Sequence, residues 1–238
     1  MKLAIMQPYL FPYIGYFQLI NAADIFILYD DVNFRKQSWI NRNRILLNGS
    51  IHTFTIPCKG ISSNKLIKEI ELNNKQDFEH NFLELLGHGY EKKAPYFDEI
   101  IRLLKMIFNT HDTNSISSFN YASTSHICDY LGIKTEIKQS SECSSHTSHL
   151  KGSKRLYSIC KQFDAKTYIN ASGGKELYCK SDFIDEGLNL KFITPEIQKL
   201  CYNQISTKLF TPWLSIIDVL MNNSKEECQT MLNCSSLS

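Results

Sequence analysis

The chain lacks several features that would each have narrowed its function. Its net charge is only +2 over 238 residues, whereas a domain that binds nucleic acid in bulk is usually strongly basic. No stretch reaches the ~18 consecutive apolar residues of a membrane helix. We therefore expect no bulk nucleic-acid binding and no transmembrane segment, although peripheral contact with a membrane enzyme stays open.

The eight cysteines also lack a recognisable thiol motif, because no two of them form a Cys-x-x-Cys pair. A chain of this length can bury a core without disulfide staples. No export signal with a cleavage site can be read at the amino terminus. Cys143, His146 and His149 recur every three residues, but no fourth zinc ligand accompanies them. We expect a cytoplasmic protein with reduced thiols, and we predict no metal site.

What the chain does have is the composition of a globular protein, with 43% hydrophobic residues and 21% charged residues. Apolar runs at residues 3–6, 24–29, 133–137, 166–170 and 188–193 predict strands, and stretches of helical periodicity alternate with them. This alternation predicts an α/β fold with a largely parallel sheet flanked by helices.

We predict a single domain over residues 1–238. Residues 75–132 contain three helical stretches, which would form an insertion or cap, with Gly87 and Gly89 near the end of the first. Residues 51–57 and 67–72 alternate as strands do. Residues 139–152 are rich in serine and lack periodicity, so we predict a flexible loop there. The tail after Leu232 is expected to fray.

The most informative feature is the turn between the first predicted strand and the first predicted helix. Residues 7–17 read QPYLFPYIGYF, in which two prolines and a glycine restrict the backbone. Ligands of α/β proteins bind where strands end and helices begin. Gln7 is therefore a catalytic candidate, and Gly15 would admit close backbone approach. An aromatic wall for a sugar would be formed by Tyr9, Tyr13, Tyr16 and Phe17. Each has a structural alternative. Gln7 could hold the proline-containing loop in place, Gly15 could permit tight helix packing, and the aromatic residues could belong to the core.

An acidic pair, Asp30 and Asp31, follows the second predicted strand. The two carboxylates could bind a metal, accept hydrogen bonds from sugar hydroxyls, or, at Asp31, act as a general base toward an amine. The alternative is that Asp31 caps a loop and Asp30 is solvated. We predict that Asp31 is catalytic and that Asp30 binds substrate.

A basic and amide-rich cluster comes next. Its members are Lys36, Trp39, Asn41, Arg42, Asn43 and Arg44. Their forked donors suit a phosphate or carboxylate, and the alternative is an exposed basic loop. In a strand, Asn41 and Asn43 would share one face and the two arginines the other, and we expect the two arginines not to contact one ligand.

Three further places in the second half of the chain are substrate-binding candidates. Gly173, Gly174 and Lys175 form a turn that could cradle a phosphate, Tyr178 lies just beyond it, and Gln204 would lie at the edge of the site. The basic residues that open the helix at 153–160 oppose its dipole, which suggests an anionic partner. Asp218, on an apolar helix, needs a partner and could anchor one of the arginines.

The segment QPYLFPYIGYFQLINAADIFILYDDVNFRKQSWINRNRI resembles the opening of the WbqC-like family. SKRLYSICKQFDAKTYINASGGKELY and CYNQISTKLFTPWLSIIDVLMNNS follow in the family's order. The resemblance implies a role in bacterial surface-polysaccharide synthesis, notably of lipopolysaccharide O-antigen, and aminoacyl or glycyl transfer to an amino sugar. The expected enzyme is a transferase or ligase that acylates the amine of a nucleotide-linked amino sugar, with ATP or aminoacyl-tRNA as donor candidates.

A second resemblance concerns the fold. The order of strand, proline-containing turn, helix, Ala-Ala-Asp and strand is similar to the nucleotidyltransferase superfamily whose turn reads His-x-Gly-His and binds ATP phosphates. Here Tyr13-Ile14-Gly15-Tyr16 occupies that place, and both histidines are absent. The resemblance implies a similar fold with altered chemistry, because the imidazoles that stabilise the transferring phosphate are missing.

Two alternatives remain at the level of sequence. In the first, the chain is a glycosyltransferase in which Asp30 and Asp31 coordinate a divalent metal bridging a nucleotide diphosphate. In the second, it is a non-catalytic glycan-binding or assembly protein. In each enzyme hypothesis the expected partner is a small molecule, above all a nucleotide-linked amino sugar.

Overall fold

A six-stranded sheet runs through the centre of the computed structural model, which describes residues 1–205, 207 and 209–238. The strands, in chain order, are β1 (Lys2–Met6), β2 (Ile25–Leu28), β3 (Arg42–Leu47), β4 (Ser50–Thr55), β5 (Cys58–Lys59), β6 (Glu71–Leu72), β7 (Glu136–Gln139), β8 (Thr167–Ala171), β9 (Asn189–Pro195) and β10 (Ser235–Leu237). The helices are α1 (Ile14–Ala22), α2 (Lys75–Tyr90), α3 (Phe97–Phe108), α4 (Ile116–Leu131), α5 (Ser140–Cys143), α6 (Ser153–Gln162), α7 (Lys180–Asp185), α8 (Ile216–Asn222) and α9 (Lys225–Leu232).

The strand order in the sheet is β10-β9-β8-β1-β2-β7. All neighbours are parallel except β10, which pairs antiparallel with β9 at the edge. The predicted α/β class with a largely parallel sheet is confirmed. From the central β1 the chain winds outward through β2 and β7 and later, in the other direction, through β8 and β9. The point where the winding reverses therefore lies between β1 and β8.

The sheet is buried on both faces, which explains the nearly continuous apolar runs of its central strands. Side chains on a strand point alternately to opposite faces. Leu3 and Ile5 pack in one core cluster with Leu156 and Phe183, and Ala4 between them packs in the other. The helices on the two sides close these two clusters.

The long connection between β2 and β7 contains α2, α3 and α4 and two small hairpins, β3–β4 and β5–β6. The predicted helices are present, and Gly132 ends α4 with a φ of 74°, a conformation that glycine adopts readily. However, α2 continues through Gly87 and Gly89 to Tyr90. At Gly89 an added Cβ would lie 2.3 Å from Leu47 Cδ2, so this glycine permits close packing instead of ending the helix.

Three other sequence predictions are wrong. The predicted strand 67–72 is a 3-10 turn at Ile67–Glu69 followed by the two-residue β6. The serine-rich segment forms α5 and a 3-10 turn at Ser145–Thr147, with several hydroxyls buried. The tail does not fray after Leu232, since β10 pairs with β9. Among the described residues, no helix is long and apolar enough to cross a bilayer.

Candidate functional site

A cavity of about 550 Å³ opens where the winding of the sheet reverses. The ends of β1 and β8, the start of α1 and the turn after β8 form its walls, through Ile5, Met6, Gln7, Tyr9, Tyr13, Gly15, Tyr16, Leu19, Tyr29, Arg35, Leu156, Tyr168, Asn170, Ala171, Gly173, Gly174, Leu177 and Tyr178. Open α/β sheets bind their ligands outside the carboxyl ends of the strands at this point. The cavity is therefore the candidate functional site.

Eight residues predicted from the sequence meet in this cavity: Gln7, Tyr9, Tyr13, Gly15, Tyr16, Gly173, Gly174 and Tyr178. The Gln7 side-chain amide makes no hydrogen bond with any described residue, so it is available to a ligand. Its backbone carbonyl accepts a hydrogen bond of 2.9 Å from Tyr16 Oη. Burial raises the pKa of Tyr16 well above its usual value, so this phenol remains protonated.

The amino terminus of α1 meets the cavity at Gly15. Backbone N–H groups in the first turn of a helix have no intrahelical partner, and among the described residues no side chain caps α1. A Cβ at Gly15 would lie 2.3 Å from the Tyr13 ring and 3.0 Å from Pro195 Cγ. Gly15 therefore lets the Tyr13 ring pack against the start of the helix. Tyr16 N already donates to the Tyr13 carbonyl at 3.0 Å, so the N–H groups of Ile14 and Gly15 are the ones that favour an anion there.

The glycine turn lies opposite, after β8, within a 3-10 helix at Ser172–Leu177. A Cβ at Gly174 would lie 2.6 Å from Asn170 Nδ2, whereas one at Gly173 would meet no atom within 4 Å. The backbone at Gly173 is thus open to the cavity. Lys175 is not among the residues that line the cavity, and its Nζ lies instead 5.9 Å from the centre of the Phe192 ring. The prediction that Lys175 holds a phosphate in this cavity is not supported.

Asp30 is fully buried and surrounded by donors. It accepts hydrogen bonds from Ser117 Oγ at 2.9 Å, Gln139 Nε2 at 3.0 Å, Ser141 N at 2.9 Å and Ser141 Oγ at 2.8 Å. The structure does not support the prediction that Asp30 binds substrate, because donors within the protein already surround its carboxylate. Its role is to hold the serine-rich segment to the end of β2.

Asp31 is also buried and forms an ion pair with Arg155, both side chains being 3% exposed. Ser140 donates a second hydrogen bond to it, and the Arg155 guanidinium lies 4.8 Å from the centre of the Tyr29 ring. Burial alone would lower the pKa of Arg155, but its hydrogen bond to Asp31 raises the pKa above the usual value. The structure does not support the prediction of a catalytic base at Asp31, because this carboxylate is paired with a buried cation. The anionic partner expected for the start of α6 is Asp31 itself.

The amides of Asn41, Asn43 and Gln204 are used within the protein too. Asn43 Nδ2 donates to the carbonyls of Leu10 and Phe11 at 2.9 and 2.8 Å, which fixes the turn after β1. Asn41 Nδ2 donates to a backbone carbonyl at 3.3 Å, and Gln204 exchanges two hydrogen bonds with the backbone of Thr211. The substrate-binding roles predicted for these three amides are corrected to structural ones.

Three members of the basic and amide-rich cluster, Trp39, Asn43 and Arg44, line a smaller hollow of about 280 Å³ beside the cavity. Its walls are Tyr9, Pro12, Tyr13, Trp39, Asn43, Arg44 and Trp213. Asn41 and Asn43 are buried while Arg42 and Arg44 face outward, as strand alternation predicts. Both guanidinium groups lie over the Trp39 ring, at 5.7 and 5.1 Å from its centre. Only Arg44 lines the hollow, so the expectation that the two arginines do not contact one ligand stays a prediction. Lys36 is exposed and lines neither space.

Sequence reasoning missed five polar or aromatic residues that line these two spaces: Tyr29, Arg35, Tyr168, Asn170 and Trp213. Asn170 and Tyr29 stand at or just after the ends of strands, and this position was the available signal for both. Arg35 is adjacent to the predicted Lys36. Nothing in the local sequence ties Trp213 to residues 170 positions earlier.

The predicted arginine partner of Asp218 is also wrong. Tyr90 Oη donates to Asp218 Oδ1 at 2.5 Å, and Tyr202 Oη donates to Oδ2. Burial raises the pKa of Asp218. This cluster joins α2 and the segment after β9 to α8. Within the described ranges, no three His, Cys, Asp or Glu side chains group as metal ligands.

Fold and cavity together define a doubly wound α/β protein with a cavity at the point where the winding of its sheet reverses. The chain belongs to the WbqC-like protein family, whose sequence pattern matches residues 7–230. It is 28% identical over 235 residues to an uncharacterized protein of Mycobacterium tuberculosis, Rv1507c, and the match covers 98% of each chain. No solved structure matches the chain.

Proposed function

We propose that the chain is a cytoplasmic transferase or ligase of bacterial surface-polysaccharide synthesis that acylates the amine of a nucleotide-linked amino sugar. The observation that supports binding is the cavity at the reversal of the sheet. Its volume of about 550 Å³ lies within the range of ~300–1,000 Å³ usual for small-molecule sites. The acyl transfer and the polysaccharide context rest on the family resemblance.

Three features of the cavity suit a nucleotide or a nucleotide sugar. The uncapped start of α1 and the open backbone at Gly173 offer N–H groups, and Arg35 offers a cation at the rim. Tyr9, Tyr29 and Tyr178 offer aromatic surface to a base or a sugar. Gln7 at the end of β1 has a free amide that can both donate and accept hydrogen bonds.

In the proposed reaction ATP first activates an amino acid. A carboxylate oxygen attacks the α-phosphorus, and pyrophosphate leaves. The sugar amine then attacks the carbonyl carbon of the adenylate, the bond to AMP breaks, and the amine loses one proton as the amide forms. With aminoacyl-tRNA as donor, the tRNA hydroxyl is the leaving group. No Asp, Glu or His is among the described residues that line the cavity, so the proton passes to solvent.

The lack of Asp, Glu and His among the described residues that line the cavity also favours one alternative. In this alternative the chain is a non-catalytic protein that binds a nucleotide sugar. The metal-dependent glycosyltransferase alternative is not retained, because hydrogen-bond donors surround Asp30, and Asp31 is paired with Arg155. To serve as metal ligands, the two carboxylates would have to leave these partners.

The test separates binding from turnover. Purified protein is titrated calorimetrically with ATP and with amino-sugar nucleotides, then incubated with glycine and ATP, or with glycyl-tRNA, and the product is analysed for an amide by mass spectrometry. Binding without an amide from any donor establishes the non-catalytic alternative. No binding of any nucleotide overturns the site.

Two glycine variants form a matched pair for these titrations. At both Gly173 and Gly87 an added Cβ would meet no atom within 4 Å, but only Gly173 lines the cavity. Gly173→Ala should weaken nucleotide binding roughly tenfold or more, which is the scale for one added methyl in a fitted pocket. Gly87→Ala should leave binding unchanged. Equal affinities in the two variants would place the nucleotide elsewhere.

A further inference from the structure

We infer that the hollow between Trp39 and Trp213 is a second subsite, which binds a pyranose ring carrying an anionic group next to Arg44. The hollow has a volume of about 280 Å³ and shares Tyr9 and Tyr13 with the larger cavity. A ligand in one space therefore lies across a two-tyrosine wall from a ligand in the other.

The walls of the hollow are unusually aromatic for a solvent-facing surface. Trp39 is 38% exposed and Trp213 is 46% exposed. The Tyr13 and Trp213 rings meet edge to face, with their centres 5.5 Å apart. Large apolar rings at the surface usually mark a binding site, and flat aromatic rings offer an apolar surface to the C–H face of a sugar.

The backbone at Trp213 supports a binding role. Its φ is +63°, in the left-handed region that bulky residues rarely adopt. Such strain persists only where surrounding contacts hold it, and it is commonest at binding sites. Here Gln204 holds Thr211, two residues before Trp213, through hydrogen bonds of 2.8 and 2.7 Å. The exposed ring is thus held in place at an energetic cost.

Arg44 supplies the charge. Arg44 lines the hollow, whereas Arg42 does not, and the Arg44 guanidinium lies 5.1 Å from the centre of the Trp39 ring. The buried Nε atoms of both arginines have no hydrogen-bond partner among the described residues. A guanidinium presents several donors in a plane that matches a phosphate or a carboxylate. Arg42 stacks on the same ring, but its Nη2 already donates to the carbonyl of Gln37. Arg44 is therefore the better candidate for the anion.

The assignment of this ligand as the acyl acceptor rests on the proposed function, but the binding itself does not. In that arrangement the activating nucleotide occupies the larger cavity and the sugar phosphate occupies the hollow. The amine and the activated carboxyl would then meet beside Tyr9 and Tyr13.

Tryptophan fluorescence reports on this hollow, since the chain has two tryptophans and both line it. The protein is titrated with glucosamine 1-phosphate, glucosamine, glucuronate and UMP. We expect a saturable change with the sugar phosphate and at least tenfold weaker binding of uncharged glucosamine. A response to glucuronate as strong as that to the phosphate would identify a carboxylate as the natural anion and supports the subsite equally.

Variants then test the residues. Arg44→Gln should weaken the sugar phosphate at least tenfold, whereas Arg42→Gln, the matched change on the same ring, should weaken it much less. Trp213→Phe and Trp39→Phe should each remove part of the signal while the protein stays folded by circular dichroism. No saturable change, a stronger response to UMP than to the sugar phosphate, or equal effects of the two arginine variants would overturn the assignment.

Failure of the subsite and failure of the proposed function give different results. Calorimetric nucleotide binding that is lost in Gly173→Ala supports the larger cavity whatever the fluorescence shows. A fluorescence response to the sugar phosphate without any nucleotide binding would retain the subsite and reject the proposed transferase.

Discussion

Replacing Asp31 by asparagine separates a structural role from a catalytic one. Asp31 and Arg155 are both 3% exposed, and the guanidinium also donates to Thr147 Oγ1 at 3.1 Å. Asp31→Asn preserves the side-chain size but removes the negative charge. The Arg155 cation would then remain buried without a counter-charge, beside the Tyr29 ring.

Breaking one side of a buried ion pair typically costs about 3–5 kcal/mol. This is a large part of the ~5–15 kcal/mol by which a folded protein is stable. At about 2–4 °C per kcal/mol for a chain of this size, the melting temperature should fall by roughly 6–20 °C. Replacing both partners, as Asp31→Leu with Arg155→Met, should cost less than the sum of the single changes, because no unpaired charge remains.

The assay is equilibrium urea unfolding followed by circular dichroism. Asp185→Asn is the control, because Asp185 is exposed and forms no ion pair with the described residues. The control should change the free energy of unfolding by about 0.5 kcal/mol or less. If Asp31→Asn were as stable as this control and yet abolished turnover, the structural interpretation would be refuted, and Asp31 would be a catalytic base after all.

Four other perturbations follow from the structure. Burial raises the pKa of Asp218 above its ordinary 3.8, so the folded state binds this proton more tightly than the unfolded state. The free energy of unfolding should therefore fall as the pH rises above that value. In Asp218→Asn, urea unfolding measured across pH should show a smaller dependence of this free energy on pH. Ser140→Ala removes a hydroxyl that donates to Asp31 and accepts from the backbone N–H of Asp30, and it should cost about 1–3 kcal/mol in the same assay. Gly15→Ala places a methyl 2.3 Å from the Tyr13 ring, and thermal denaturation should show a loss of about 1–3 kcal/mol. Native thiol labelling should modify the exposed Cys179 and Cys201 first and the buried Cys128 only on unfolding.

The sequence predicted the sheet well because its central strands are buried on both sides. A strand such as β2, with every residue buried, reads as a short apolar run. The turn that carries Gly15 was equally visible, since prolines and glycine restrict the backbone locally. Its position at the reversal of the sheet follows from the strand order, which the alternation of elements indicates but does not fix.

The polar residues were much harder to assign, because their partners are distant in the chain. Asp31 meets Arg155, and Asp30 meets Ser117 and Ser140, each pair about a hundred residues apart. A serine-rich stretch without periodicity resembles a loop, yet its hydroxyls satisfy two buried carboxylates. Local pattern shows that a buried charge needs a partner, but only the tertiary structure shows which residue supplies it.

The position of β1 at the centre of the sheet has a consequence for synthesis of the chain. Lys2 pairs with Thr167, which lies 165 residues later (167 − 2). At roughly 5–20 residues per second, a ribosome needs about 8–33 s to make that interval. During this time β1 has only β2 beside it, and its other edge lacks a partner. The nascent chain therefore exposes an aggregation-prone apolar strand edge for many seconds, and chaperone binding to the first thirty residues would protect it.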